Sequence, residues 1–335
     1  MTFDSGAVEL TLHCAAGRVA RVALRCQRPR AAQILCGKPG ASAVALVPLL
    51  FAVCGKAQGL AARLALAAAH GVASAVHIDA ETAREAAREH LWHLLAHAER
   101  SQLAEGYQCI LGKGSLTNFL RPLLGMEPSE WLALGKDQLL QWVAGDAGLL
   151  AESCRQLPPE PPAVAVPLLP PLDAAATLAE WPRLDDGLAG LPGWLGRAAE
   201  TGALARQHGV PLIAALAGTP LLQHRLARLR ELLDFAVQPG TGLLGCASAA
   251  PVAPGIGRAT VETARGLLMH ELTLENETVT EYVIVAPTEW NFHPQGALPG
   301  WLTGQSAVDQ EGLRAQAAAA VAALDPCVVW HLDIH

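Results

Sequence analysis

Two stretches of apolar–polar alternation constrain the fold of this chain most. Residues 8–25 alternate on both sides of a turn at Gly17, and residues 266–274 and 279–285 alternate on both sides of a polar turn. Side chains of a β-strand point to opposite faces in turn, so a period of two indicates strands with one buried face. Because only a few residues join the strands of each pair, we expect two small antiparallel hairpin sheets, one near each end of the chain.

The segments between the hairpins favour helices. Of the 335 residues, 51% are hydrophobic and only 4% are aromatic, a composition typical of helices rather than of an all-strand sandwich. Helices are predicted after Pro48 in the apolar stretch 39–69, from a cap at Asp79 to about Leu103, over residues 223–235, and from a cap at Asp309 to about Leu324. The fold class is therefore expected to be α+β and helix-rich.

A proline-rich segment interrupts this pattern. Residues 157–171 contain seven prolines, and proline has no backbone N–H to donate to a helix or a sheet. We therefore predict an irregular crossing over these residues. The chain is long enough for one large core, and we expect a single domain over residues 1–335 that includes this crossing.

Charge and hydropathy exclude several classes of function. The net charge of −7 argues against a nucleic-acid partner, which would require a basic surface. Residues 1–9 carry two acids and no basic residue, unlike a secretory signal. The longest uncharged apolar stretch, Pro39–Gly55, is too short for a membrane span. We expect a cytoplasmic protein without a membrane segment.

The eight cysteines do not form an obvious set. They are irregularly spaced and none forms a CxxC pair. In a chain of this size without an export signal, a disulfide framework is not expected. Most of these cysteines should be small buried hydrophobic residues, such as Cys14, Cys26, Cys109, Cys154 and Cys246. The exceptions should be those that lie in motifs.

The last eleven residues, DPCVVWHLDIH, contain the most specific motif. They resemble the C-terminal motif DPCxxCxxH of nickel–iron hydrogenase large subunits. Cys327 stands at the first cysteine, Trp330 at the second and Asp333 at the histidine. The chain ends at His335, just past the motif, so we expect no C-terminal extension for a protease to remove.

A second resemblance to the large subunits lies upstream. Residues 262–268, ETARGLL, and residues 287–291, PTEWN, resemble the blocks EAPRG and VPTTWN in the same order. Arg265 and Thr288 fall on the arginine and the Ser/Thr that, in those enzymes, donate hydrogen bonds to the cyanide ligands of iron. The alternative for Arg265 is a structural ion pair with a nearby glutamate, Glu262 or Glu289.

A third and weaker resemblance lies near the N-terminus. Residues 51–62, FAVCGKAQGLAA, resemble the motif CGVCxxxHxLAA. In this register Cys54 is the second cysteine, Phe51 replaces the first and Gln58 replaces the histidine. A register shifted by three would make Cys54 the first cysteine, but the Leu-Ala-Ala match is then lost.

The resemblance implies an iron site without nickel. The enzymes hold nickel and iron with four thiolates, and only two of these positions keep sulfur here, namely Cys54 and Cys327. Two thiolates suit an iron that already carries two cyanides and one carbonyl, but they leave nickel with too few soft donors. Arg265 and Thr288 would bind the cyanide nitrogens, an arrangement in which a guanidinium is a strong donor.

Other residues are weaker candidates for the metal site. His331 and His335 follow Cys327 closely, and Trp330 is expected to fill the volume that nickel occupies in the enzymes. Three histidines at helical spacing, His90, His93 and His97, should line a partly exposed helix face rather than bind a metal.

The whole pattern resembles the HupK/HoxV-type hydrogenase maturation proteins, which are large-subunit-like scaffolds that act with the HypC–HypD complex. The resemblance implies a large-subunit-like fold and a carrier, not an enzyme. It would accept the Fe(CN)2(CO) fragment from a HypC–HypD-type complex, hold it transiently and pass it to the apo large subunit. The alternatives are a metal-free structural homologue that acts through protein–protein contacts, or a thiol enzyme using Cys327 and His331.

Overall fold

The computed structural model describes residues 6–27, 31–51, 53–96, 98–146, 148–238 and 244–335. Its strands are β1 (Ala7–Ala15), β2 (Arg18–Gln27), β3 (Ser74–His77), β4 (Cys246–Ala253), β5 (Ile256–Thr263), β6 (Gly266–Glu275), β7 (Thr278–Val285) and β8 (Val329–Ile334). A short 3-10 helix spans Ala31–Leu35.

The helices carry most of the chain between the two hairpins. They are α1 (Gly40–Leu50), α2 (Gly55–Ala69), α3 (Ala80–Leu94), α4 (Arg100–Ile110), α5 (Leu116–Leu124), α6 (Pro128–Leu132), α7 (Lys136–Ala144), α8 (Leu149–Arg155), α9 (Ala174–Glu180), α10 (Asp186–Gly190), α11 (Ala203–Gln207), α12 (Pro211–Ala214), α13 (Pro220–Val237), α14 (Pro287–Asn291), α15 (Ala297–Leu302) and α16 (Gln310–Leu324). The expectation of a helix-rich α+β fold is confirmed.

The first sheet joins the two ends of the chain. Strands β1 and β2 form the predicted hairpin, and β8 pairs with β1 in parallel, which the sequence pattern did not predict. Val8, Leu10 and Leu12 point to the inner face and pack against a cluster that includes residues of α15 and α16. The pairing brings the segment before β8, which contains Cys327, back to the N-terminal part of the chain.

The second sheet has five antiparallel strands in the order β3-β4-β5-β6-β7, and the predicted second hairpin is β6–β7. Asn276 and Glu277 in its turn both have positive φ, 48° and 63°, as tight hairpin turns require. Helix α2 lies directly on this sheet. A Cβ at Gly257 would lie 2.1 Å from the carbonyl oxygen of Ala65, so the backbones of β5 and α2 are in contact.

The apolar stretch 39–69 differs from its prediction. It forms two helices, and Pro48 lies inside the first rather than before its start. Proline lacks the N–H of a helical hydrogen bond, and α1 ends two residues later, at Leu50. The break matters because the second helix, α2, starts directly after Cys54.

The helix predicted from Asp79 to about Leu103 is also two helices. Asp79 caps α3 as expected, since its side chain accepts from the backbone N–H of Thr82 at 2.8 Å. However, α3 ends at Leu94 and α4 begins at Arg100. The break lets α4 fold back on α3, with Gly106 against Leu91, and both helices then bury their leucines in one core.

The remaining helix predictions agree with the structure. Residues 223–235 lie within α13, and Asp309 caps α16, which ends at Leu324. The proline-rich residues 157–171 form no helix and no named strand. Within the described ranges, no helix is both long enough and apolar enough to cross a membrane.

Candidate functional site

The fold brings the two motif cysteines into one cavity. Cys54 immediately precedes α2, Cys327 lies between α16 and β8, and Arg265 lies in the turn between β5 and β6. All three line a cavity of about 20 Å³, which is space for about one water molecule. The lining residues also include Gln58, Glu85, Glu89, Ala264 and Pro287.

Cys54 is a neutral thiol in this environment. Burial, together with the nearby sulfur of Cys327, raises the pKa of Cys54 to about 12. The side-chain amide of Gln58 donates to its sulfur at 3.6 Å. A metal ion binds the thiolate and displaces the proton, so metal binding at Cys54 would be coupled to proton release.

A buried chain of hydrogen bonds holds Gln58 in place. His270 Nε2 lies 2.8 Å from Gln58 Oε1, and His270 Nδ1 lies 2.8 Å from the hydroxyl of Tyr282. The amide oxygen only accepts, so His270 donates from Nε2 and accepts at Nδ1. This arrangement directs the amide NH2 of Gln58 toward Cys54. The sequence motifs did not indicate His270, although a histidine inside an apolar strand was a usable signal.

The buried His270 predicts a loss of stability in acid. Burial lowers the pKa of His270 to about 3, from 6.5. As the pH falls from about 6.5 toward 3, the unfolded chain takes up a proton that folded His270 does not. The free energy of unfolding should therefore fall by about 1.4 kcal/mol per pH unit for this group. Urea titrations at several pH values should show a smaller pH slope for His270→Gln, with His331→Gln at an exposed position as the matched control. An unchanged slope in His270→Gln would contradict the assignment.

Thr288 contacts the sulfur of Cys327. Its hydroxyl lies 3.1 Å from the sulfur and accepts from the backbone N–H of Cys327 at 3.2 Å. Thr288 is buried and is not among the residues that line the cavity. The hydroxyl therefore positions Cys327, and its predicted role as a donor to cyanide stays a prediction.

Arg265 has acidic partners, but not the two that the sequence suggested. Its Nη2 lies 3.0 Å from Glu89 Oε2 and 3.3 Å from Asp325 Oδ1. Its Nε is buried and has no hydrogen-bond partner among the described residues. A buried guanidinium N–H without an acceptor is costly, and an anionic ligand in the cavity would supply one.

The two glutamates proposed as alternative partners of Arg265 are engaged elsewhere. Glu262 pairs with Arg206 at 2.6 Å, and Glu289 accepts from the backbone N–H of Ala286 at 3.0 Å. The predicted alternative, an ion pair of Arg265 with Glu262 or Glu289, was therefore wrong, because its acidic partners are Glu89 and Asp325.

The residues after Cys327 do not reach the cavity. His331 is exposed on β8, and the ring of His335 stacks on that of His13 with centroids 5.9 Å apart. Trp330 packs against the core beneath the first sheet, so the expectation that it fills the metal volume was wrong. The parallel pairing of β8 with β1 turns these side chains away from the cavity.

The helical histidines are not a metal site in the described residues. His90 is buried and lies 2.8 Å from Glu231, so the expectation of a partly exposed face was wrong for it. His93 Nε2 lies 2.5 Å from the carbonyl oxygen of Ala322, and His97 lies outside the described residues. Within the described ranges, no group of three or more His, Cys, Asp or Glu side chains is arranged to hold a metal ion.

The other cysteines differ in burial. Those described form no disulfide with one another. Cys154 is buried as expected, and Cys36 is exposed. Three are only half-buried, namely Cys14, Cys26 and Cys109. The side chain of Cys246 lies outside the described residues.

Comparison with solved structures identifies the fold. The chain is similar to the [NiFeSe] hydrogenase of Dm. baculatum, with a TM-score of 0.55, 16% identity and 94% of each chain covered. It is also similar to the Ni-Fe-Se hydrogenase of D. vulgaris Hildenborough, with a TM-score of 0.53, 15% identity and 93% and 94% of the two chains covered. At these identities the likeness shows the fold alone, which is that of hydrogenase large subunits.

Comparison with curated proteins identifies the family. No family model matches the sequence. The chain is 32% identical to the hydrogenase expression/formation protein HoxV of Cupriavidus necator, over 92% of this chain and 91% of the relative. It is 30% identical to the hydrogenase expression/formation protein HupK of Rhizobium leguminosarum bv. viciae, over 100% and 98% of the two chains. The chain therefore belongs to the HoxV/HupK family of hydrogenase expression/formation proteins, built on the fold of a hydrogenase large subunit.

Proposed function

We propose that this protein is a hydrogenase maturation scaffold that carries iron in the form Fe(CN)2(CO). In the cytoplasm it accepts this cargo from a HypC–HypD-type complex, holds it on Cys54 and Cys327, and passes it to the apo large subunit of a nickel–iron hydrogenase. The protein is a carrier and not an enzyme. The observation that carries the proposal is that two thiols from opposite ends of the chain line one cavity beside Arg265.

The donor set suits this cargo. Two thiolates complete the coordination of an iron that already has three strong-field ligands, and they leave nickel without enough sulfur. The unpartnered Nε of Arg265 would donate to a cyanide nitrogen, which carries negative charge and accepts well. Glu89 and Asp325 hold the guanidinium from its other side. Around bound metals, such groups orient the residues that contact the metal and its ligands.

Loading requires the cavity walls to move. The space of about 20 Å³ holds about one water molecule, whereas an iron with three diatomic ligands is several times larger. Glu85 is a long polar side chain in the wall that is not held by His270, as Gln58 is, or by Arg265, as Glu89 is. We expect Glu85 to swing outward when the cargo binds, while Cys54 and Cys327 keep their places.

Infrared spectroscopy tests the proposal directly. The protein should be purified anaerobically after co-expression with the HypC–HypD complex. We expect cyanide and carbonyl stretching bands and about one iron per chain, without stoichiometric nickel. Cys54→Ser and Cys327→Ser should each abolish the bands, because one thiolate does not hold the iron. Cys109→Ser, at a half-buried thiol outside the cavity, is the matched control and should keep them.

The alternative of a metal-free homologue predicts a different result. If Cys54→Ser and Cys327→Ser both support hydrogenase maturation as well as the wild type does, the two cysteines are not needed for function. The protein then acts through protein–protein contacts alone. Absent bands in the wild type, under conditions in which HypC–HypD shows them, would point the same way.

A further inference from the structure

The cavity with the two thiols borders a surface groove of about 290 Å³. Val53, Glu85 and Glu89 line both spaces, so these side chains form the boundary between them. Because these three side chains separate the groove from the two thiols, cargo that enters past them passes through the groove. A protein that delivers cargo along this path would cover the groove.

The exposed side of α3 forms one wall of the groove. Glu81, Arg84, Arg88 and Trp92 recur at intervals of three or four residues, so they share one side of the helix. The side chain of Trp92 is 53% exposed, and Leu111, which follows α4 and lines the groove, is 47% exposed. We call these five residues the mouth face.

The acidic side chains around the opening already have partners. Glu81 Oε2 lies 2.5 Å from Lys56 Nζ, and Glu89 pairs with Arg265 at 3.0 Å. Glu85 accepts two hydrogen bonds from backbone N–H groups at the start of α2, at 2.8 and 3.1 Å. Two of these carboxylates are thus paired with cations of the protein, and the third is held by backbone N–H groups.

The two arginines of the mouth face form no ion pair within the described ranges. Arg88 lies over the ring of Tyr107, 5.0 Å from its centroid, a contact that holds the side chain without an ion pair. Arg84 is exposed, and no ion pair or hydrogen bond of its side chain occurs in the part of the chain that the structure describes. Arginine and tryptophan are the side chains that most often dominate protein–protein contacts.

We propose that the mouth face docks a partner protein whose contact surface presents Asp or Glu carboxylates to Arg84 and Arg88. Apolar side chains of the same partner cover Trp92 and Leu111. The inference rests on the proposed function, because the partner is the protein that delivers the cargo. A free small anion would satisfy the arginines but would leave Trp92 and Leu111 in water, so a protein surface fits the whole face better.

The inference is tested by measuring how tightly the full chain binds the iron-bearing HypC–HypD complex. Biolayer interferometry at low and at physiological salt gives the association and dissociation rates. The double variant Arg84→Glu/Arg88→Glu should weaken binding by about 10-fold or more, mainly through slower association, and should reduce its salt dependence. Trp92→Ala should weaken binding by about 10-fold, mainly through faster dissociation. Arg21→Glu/Arg314→Glu makes the same charge change at exposed positions outside the groove and should bind as the wild type does.

The outcomes separate docking from iron binding. Cys54→Ser keeps the mouth face, so it should bind the complex normally even though it is expected to carry no iron. If the wild type shows no infrared bands yet binding is lost in the arginine variant, the docking face stands and the carrier function fails. If the arginine variant binds and is loaded like the wild type, the docking inference is overturned. It is also overturned if the wild type does not bind the complex. The same holds if the only effect of Arg84→Glu/Arg88→Glu is to dissociate a dimer of this chain.

Discussion

Replacing Gly257 with alanine should lower the free energy of unfolding by about 3 kcal/mol or more, or prevent folding. A Cβ at this position would lie 2.1 Å from the carbonyl oxygen of Ala65 and 2.2 Å from the backbone nitrogen of Ala69. Both atoms belong to the backbone of α2, so no side-chain rotation relieves the overlap. The helix or the sheet must move, and the packed core resists such movement.

The same substitution should also disturb the candidate site. Helix α2 begins directly after Cys54, so a shift of the helix on the sheet displaces this thiol relative to Cys327. Urea unfolding followed by circular dichroism measures the loss of stability. Gly209→Ala is the matched control, because a Cβ there meets nothing within 4 Å, and it should change stability by no more than about 0.5 kcal/mol. Equal stability of the two variants would show that α2 does not rest on β5 as described.

Glu231→Ala should lower the free energy of unfolding by about 3–5 kcal/mol, as the loss of one partner of a buried ion pair does. Glu231 is fully buried in α13. Its carboxylate accepts from Arg206 at 2.8 Å through two nitrogens, and from His90 at 2.8 Å. Alanine would leave the guanidinium of Arg206 in the interior with only Glu262 to balance it.

The pH dependence of stability gives an independent check on Glu231. The guanidinium of Arg206 outweighs burial and lowers the pKa of Glu231 to about 2, from 4.5. The stabilisation is therefore complete above about pH 4.5 and is lost as the pH falls from 4.5 toward 2, because the carboxylate must then be protonated. Glu105→Ala, at an exposed position in α4, is the control and should cost less than about 0.5 kcal/mol. A loss of similar size in both variants would contradict the buried network.

The buried network lies next to the candidate site. Arg206 donates to Glu262 at 2.6 Å, and Glu262 lies three residues before Arg265 on the strand that leads into the cavity wall. Gly266, the next residue, has φ = 128°, and a Cβ there would lie 2.3 Å from Cγ2 of Thr201, so a side chain would not fit. The turn that presents Arg265 is therefore held by charge pairing before it and by close packing after it.

Local features of the fold were predictable because their causes are local. Alternation of side chains identified both hairpins, and the carboxylates of Asp79 and Asp309 marked the starts of α3 and α16, since a side chain caps a helix only a few residues away. Helix ends were less predictable. The break after Leu94 depends on α4 packing back on α3 through Gly106, and this contact follows from tertiary structure rather than from the residues at the break.

The residues of the candidate site were also predictable only in part. The motifs singled out Cys54, Cys327, Arg265 and Thr288, and the fold brings Cys54, Cys327 and Arg265 to one cavity, with Thr288 on the sulfur of Cys327. The motifs did not indicate His270, which holds Gln58 toward Cys54 from a strand more than two hundred residues away. They also suggested His331 and His335, which β8 carries to the outside of the first sheet.

The sequence by itself determined which residues are candidates for the site and which short elements hold them, because motifs, caps and alternation are properties of neighbouring residues. Only the tertiary structure decided which of those residues meet. Glu89 and Asp325 became the partners of Arg265 in place of Glu262 and Glu289 because α3 and α16 pack beside the turn that carries Arg265. Contacts between distant segments depend on how helices and sheets pack, and residue patterns along the chain do not record that packing.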